Sequence, residues 1–181
     1  ADAAARDLGL RILAPDRPGF GASDPLPGRV LADWPADVEA LCERLGVDSF
    51  AVLGVSGGAP YACACAALLG DRVQALALVG GLAPLRSPAL LEGMRGPAGL
   101  FLTVARSRPA LVAALWQPLQ RSVRLAPGMM LAGFTRFLPL PDREVLRPGP
   151  VRDTVLAAFR EALRGAPSGV VRDLLLYARP W

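Results

Sequence analysis

Ser49-Phe50-Ala51-Val52-Leu53-Gly54-Val55-Ser56-Gly57-Gly58-Ala59-Pro60-Tyr61 is the stretch on which the reading of this chain turns. Ser49 to Leu53 reads as the apolar core of a strand. Gly54 to Gly58 matches G-x-S-x-G. Gly57 to Leu69 is rich in small residues and reads as a helix, ended by Gly70. A serine between a strand and a helix sits on a tight turn that pushes its hydroxyl out of the sheet. The glycines around it are expected wherever a Cβ would strike the adjoining strand or helix. Ser56 is therefore the candidate nucleophile. The Gly57 N–H, at the start of the helix, is a candidate donor to an oxyanion, helped by the helix dipole.

Outward from this turn the pattern alternates. Residues 2–8 read as the tail of a helix ending at Gly9, and Leu10 to Ala14 as a short strand stopped by Pro15. Asp16 to Pro27 is a loop. Leu31, Trp34, Val38, Leu41 and Leu45 recur at helical spacing, with Gly46 as the C-cap. Val73 to Val79 is a second apolar strand, followed by Gly80 and Gly81. Strand cores that are apolar throughout predict parallel strands covered on both faces. Beyond Pro84 no strand is predicted. Helices are expected at about 88–106, 109–125, 127–138, 150–163 and 168–178, broken by Pro and Gly. The expected fold class is α/β, with a mostly parallel sheet, flanking helices and an all-helical segment after it.

Composition narrows the function. The chain has 181 residues and a mean hydropathy of +0.36, which excludes a disordered chain. Its net charge of +4 comes from arginine alone, because lysine is absent. Those arginines are dispersed among Asp and Glu and form no basic stripe, so no nucleic-acid partner is expected. Residues 49–70 carry no charge, but Gly54, Gly57, Gly58 and Pro60 interrupt them, so no membrane span is expected. The N-terminal residues lack a basic region followed by an apolar one, and a cytoplasmic location is the expectation. Cys42, Cys63 and Cys65 have no framework spacing. Cys63 and Cys65, set among alanines, read as small buried side chains. With no histidine and no ligand spacing, no metal is expected.

Asp16-Arg17-Pro18-Gly19-Phe20-Gly21-Ala22-Ser23-Asp24 resembles the loop after the fourth core strand of many α/β-hydrolases, D-x-x-G-x-G-x-S. The helix, the strand, the elbow and the Val73–Val79 strand follow in that family's order. The resemblance implies a partial α/β-hydrolase core over residues 1–85 and a helical cap over 86–181. The glycines of the loop are not a dinucleotide fingerprint, because Asp24 stands at the third glycine position and no helix opens there. Asp16 and Arg17 are expected to pin the loop. Serine at the elbow disfavours haloalkane dehalogenases and epoxide hydrolases, which need Asp there. Ester hydrolysis is the leading reaction, with amide and carbon–carbon hydrolysis behind it. A small apolar or ester-like substrate is implied, and no organic cofactor.

A serine hydroxyl needs a base, and in this family the order is Ser, then Asp or Glu, then His. The sequence contains no histidine. Asp142, Asp153 and Asp173 read as surface or helix-capping charges, not as the triad acid. The second oxyanion N–H of the family comes from a loop that would precede Ala1. The reading is therefore of a chain truncated at both ends, a fragment of a longer enzyme. The alternative is a catalytically inactive binding module. Such a piece would expose a sheet edge open to self-association. The cap's apolar residues Phe101, Leu102, Leu115, Trp116, Met129, Met130, Phe134 and Phe137 are expected to pack as core, with an acyl pocket as the second reading.

Overall fold

The glycine-bounded apolar runs do form the sheet. In the computed structural model, which describes residues 2–85, 89–92, 94, 96–165 and 167–181, β1 (Phe50–Val55) pairs in parallel with β2 (Val73–Val79). Between them runs α3 (Ala59–Leu68), which packs against both strands. Before them come α1 (Asp2–Asp7), a 3₁₀ turn (Leu31–Asp33) and α2 (Trp34–Arg44), which ends before Gly46 at φ 64° and packs on α3. Val52 faces Leu76 across the ladder, and Val55 faces Val79. Cys42 and Cys65 are buried and Cys63 is half-buried. Burial, with Cys42 nearby, pushes the Cys65 thiol up to about 11, so it stays protonated at neutral pH.

Two expectations about the sheet are corrected. Leu10 to Ala14 is not a strand: it has no regular structure, and Leu10 and Ile12 are more than half exposed. A strand exists only by sharing hydrogen bonds with a neighbour, and no described residue supplies a ladder there. The strands are also not covered on both faces. α3 covers one face, while Leu53 and Val55 on the other remain mostly exposed. The apolar composition of β1 exceeds the burial it obtains here.

After β2 come α4 (Ala89–Glu92), α5 (Pro97–Ser107), α6 (Pro109–Leu125), α7 (Pro127–Thr135), α8 (Leu140–Val145), α9 (Pro150–Ala162) and α10 (Ser168–Tyr177). Of these, α8 was not anticipated. Proline opens α5, α6, α7 and α9, where its missing N–H costs no helical hydrogen bond. The expected helix start at 88 falls outside the described residues. Gln120 is buried in α6 and fully engaged. Its amide donates to the carbonyls of Leu163 and Gly165, both at 3.0 Å, and its oxygen accepts from the Trp116 indole at 3.0 Å. This clamps α6 to the end of α9.

The apolar face expected of the helical segment is only partly a core. Leu102 is buried and Phe101 meets Trp116 edge-to-face at 5.4 Å, but Leu115, Met129, Phe134 and Phe137 are exposed. The principal buried cluster instead unites both halves of the chain. Leu31, Tyr61 and Leu85 pack with Leu102 and Tyr177. Among the described residues no helix is long and apolar enough to cross a membrane.

Burial separates the leucines of the helical segment. Leu131 in α7 is 2% exposed and Leu125 in α6 is 83% exposed. Leu131→Ala is expected to lower the unfolding free energy by about 2–5 kcal/mol. Leu125→Ala should stay within about 0.5 kcal/mol. Denaturant titration of the two variants measures both.

Candidate active site

β1 ends at Val55, and Ser56 begins a 3₁₀ turn that runs into α3. Ser56 has φ 50°, the sole positive value for a non-glycine among the described residues. A side chain in that region is crowded against its own backbone, so the surrounding structure must hold it there. Part of that hold comes from the Ser56 carbonyl, which accepts from the Leu82 N–H at 3.2 Å and from the Ala59 N–H. The hydroxyl is exposed and, among the described residues, makes no hydrogen bond. The Gly57 N–H lies in the first turn, where amides lack an intrahelical acceptor.

The three glycines of the turn are not equivalent. A Cβ on Gly54 would stand 2.7 Å from the Ala62 Cβ and 2.8 Å from the Ala59 Cα, so α3 can cross β1 this closely only over glycine. A Cβ on Gly57 would meet the Tyr177 hydroxyl at 3.0 Å and its ring at 3.2–3.3 Å. On Gly58 it would meet nothing nearer than an Arg17 nitrogen at 4.0 Å. Steric need for glycine therefore holds at the first position of the motif and fails at the last.

Beside the elbow lies a buried polar cluster that was not anticipated. Asp173, read from sequence as a surface or capping charge, is 3% exposed in α10. Its Oδ1 accepts from Arg29 at 2.5 Å and from the Tyr61 hydroxyl. Its Oδ2 faces Arg17 at 2.9 Å and the Tyr177 hydroxyl at 2.9 Å. Arg29 also donates to the Tyr61 oxygen and to the Gly169 carbonyl. The Tyr177 hydroxyl lies 2.6 Å from the Gly57 carbonyl as well. Having one proton, it donates to that carbonyl or to Asp173 at any moment. The carboxylate is thus tied to the elbow through one tyrosine, yet it does not touch Ser56. With both oxygens occupied, it is not a base for the serine. Asp142 and Asp153 are exposed, as expected.

Asp16 pins its loop as expected. Its carboxylate accepts from the Ala22 N–H, and its carbonyl accepts from the Ser23 hydroxyl at 2.8 Å. Arg17 does more: it leaves the loop to pair with Asp173, and its guanidinium lies 4.7 Å from the Phe20 ring centre and 4.8 Å from that of Tyr61. Its Nε is buried without a partner.

Electrostatics in the cluster follow from burial and from Asp173. For Tyr61, burial and then the neighbouring carboxylate hold the hydroxyl protonated far above the ordinary tyrosine range. Tyr177 is raised in the same direction by burial, against the opposing pull of Arg17. Burial alone would lower the Arg29 pKa, but Asp173 and Tyr61 together raise it above its ordinary value.

The signal for Asp173 lay in its neighbours. Val170-Val171-Arg172-Asp173-Leu174-Leu175-Leu176-Tyr177 is apolar on both sides of the Arg172-Asp173 pair. A helix apolar nearly all round is buried and takes its charge with it. No comparable signal marked Arg29 or Tyr61 as its partners.

A sequence model of the alpha/beta hydrolase fold family matches residues 1–148. The solved structure of an alpha/beta hydrolase fold protein from Nakamurella multipartita is similar, with TM-score 0.54 and 23% identity. The alignment covers 98% of this chain and 62% of that one, so the chain spans less than two-thirds of that structure's length. No curated protein sequence matches the chain.

Two measurements probe this geometry. Gly54→Ala is expected to destabilise by about 1–3 kcal/mol through overpacking. Gly58→Ala, at a helical φ of −78°, should be neutral or stabilise by up to about 1 kcal/mol. Thermal unfolding of the pair would show opposite or clearly unequal shifts. The second is an alkaline titration. A tyrosine raised above its ordinary 10.0 stabilises the native state fully below that pH, and the stabilisation is lost as pH climbs through the folded value. The chain has two tyrosines, both in this cluster. The tyrosinate absorbance band should therefore stay absent at about pH 11, where free tyrosine is largely ionised. It should emerge only with loss of native circular dichroism.

Proposed function

Because this chain belongs to the α/β-hydrolase fold family, we propose that Ser56 is the nucleophile of a serine hydrolase acting on esters, ahead of amides or carbon–carbon bonds. The observation that carries the reading is the positive φ of Ser56 at a strand-to-helix turn, which presents its hydroxyl to solvent. In this reading the Ser56 Oγ attacks the substrate carbonyl. The Gly57 N–H, at the positive end of α3, donates to the developing oxyanion. Substrates are small and apolar or ester-like.

The proton acceptor is the open part of this mechanism. The 181 residues contain no histidine, and Asp173 is fully engaged by two arginines and two tyrosines. In the proposed enzyme the base therefore belongs to a protein larger than this chain. The same two observations favour a second reading for the 181 residues by themselves, as a non-catalytic binding module.

Hydrolysis of p-nitrophenyl butyrate separates these readings when measured on two proteins: this chain, and the native protein from its source cells, sized by intact mass. The native protein is expected to turn over, and Ser56→Ala to reduce its kcat by about 10,000-fold or more. The 181-residue chain should stay near the level of that variant. Native activity that survives Ser56→Ala would sink the serine reading. Rapid turnover by the 181-residue chain, lost with Ser56, would sink the non-catalytic one.

A further inference from the structure

One cavity lies apart from the elbow. It is an open groove of about 520 Å³ between the loop after Arg17, α6 and the start of α10, and neither Ser56 nor Gly57 lines it. That volume is in the range of small-molecule sites. Its wall is mostly apolar, formed in part by Leu26, Ala114, Val171 and Leu175. Besides Arg29, three polar residues line it: Gln117, Ser168 and Arg172.

The state of these three groups is the telling feature. Arg172 donates from Nε to the Arg29 carbonyl at 2.7 Å and from Nη2 to the Gly28 carbonyl at 2.6 Å. Those carbonyls fix the guanidinium but do not neutralise it. Among the described residues Arg172 has no carboxylate partner, and its Nη1 makes no hydrogen bond. The side chains of Gln117 and Ser168 are likewise without hydrogen-bond partners among the described residues. No Asp or Glu among the described residues lines the groove. Arg29 reaches its wall too, and behind it Arg17 and Arg29 share the single carboxylate of Asp173, which leaves one further positive charge beneath the floor. An apolar trough with a fixed, unpaired cation and two free polar groups is complementary to an anion carried on an apolar body.

We propose that this groove is a binding site for an amphipathic carboxylate of the fatty-acid class, its chain along Leu26, Ala114, Val171 and Leu175 and its carboxylate at Arg172, Gln117 and Ser168. The site is separate from the elbow and stands whether or not Ser56 is a nucleophile.

Calorimetric titration of the 181-residue chain tests it, with decanoate as the probe, decan-1-ol as the tail without the charge, and acetate as the charge without the tail. Decanoate is expected to saturate at one site per chain, with decanol and acetate at least about tenfold weaker, the scale of one charge-assisted contact. Ala114→Trp, at an exposed position, should fill the groove and abolish decanoate binding while thermal stability is unchanged. Arg172→Gln should weaken decanoate about tenfold and leave decanol unaffected. Ser56→Ala should leave binding unchanged. Decanoate that fails to saturate, or binds Ala114→Trp as it binds the parent chain, removes the site. Decanol that matches decanoate shows that the charge has no role and overturns the carboxylate assignment. Should Arg172→Gln not fold, the decanol comparison and Ala114→Trp still decide the matter.

Discussion

One carboxylate joins the two halves of this molecule. Asp173 enters the interior on α10 and meets Arg17 and Arg29 from the loop region, Tyr61 from α3 and, one turn along its own helix, Tyr177. A buried carboxylate is tolerated only when its lone pairs are met by donors and its charge by cations. Here Arg17, Arg29 and Tyr61 come from segments more than a hundred residues away in the chain, and only Tyr177 is local. Removing any one partner would leave the others desolvated and unmatched. The cluster therefore specifies how α10 sits more sharply than apolar contact could.

That placement reaches the elbow. α10 comes close enough to the loop that Gly169 and Gly19 have no room for side chains: a Cβ on either glycine would stand under 3 Å from the other's backbone. From this seat Tyr177 extends its hydroxyl to the Gly57 carbonyl. The amide of Gly57 and the exposed hydroxyl of Ser56 are thus built on a turn held from two sides. α3 presses on Gly54 from one side, and the Asp173 cluster acts through Tyr177 from the other. The positive φ of Ser56 is held in place by these surrounding contacts.

The same geometry separates two regions of different character. At the elbow, Ser56 is exposed, and its hydroxyl makes no hydrogen bond among the described residues. Across the Arg29–Asp173 link, the groove beside α6 and α10 combines apolar walls with an arginine fixed only by carbonyls. Arg29 belongs to the wall of one and to the hydrogen-bond chain that ends at the other. The positive charge of the chain, dispersed in the sequence, is locally concentrated where Arg17 and Arg29 share one acid and Arg172 is held by the Gly28 and Arg29 carbonyls.

By itself the sequence determined the elements. Local patterns suffice for an apolar run between glycines, a helical repeat from Leu31 to Leu45, and a serine in G-x-S-x-G, because strand, helix and turn are short-range physics. Local pattern also misled at Leu10–Ala14, since a strand is completed by a partner that its own residues cannot specify, and at β1, whose apolar composition does not say what covers it. Asp16 as a loop pin was readable from the resemblance of its loop to D-x-x-G-x-G-x-S. Asp173 was not readable as the centre of the interior, because a carboxylate's burial is decided by donors at Arg17, Arg29 and Tyr61, which only the tertiary structure brings within hydrogen-bonding reach. The groove was hidden for the same reason: Arg172 is ordinary in sequence, and only the fold sets its guanidinium against two carbonyls with no carboxylate partner among the described residues.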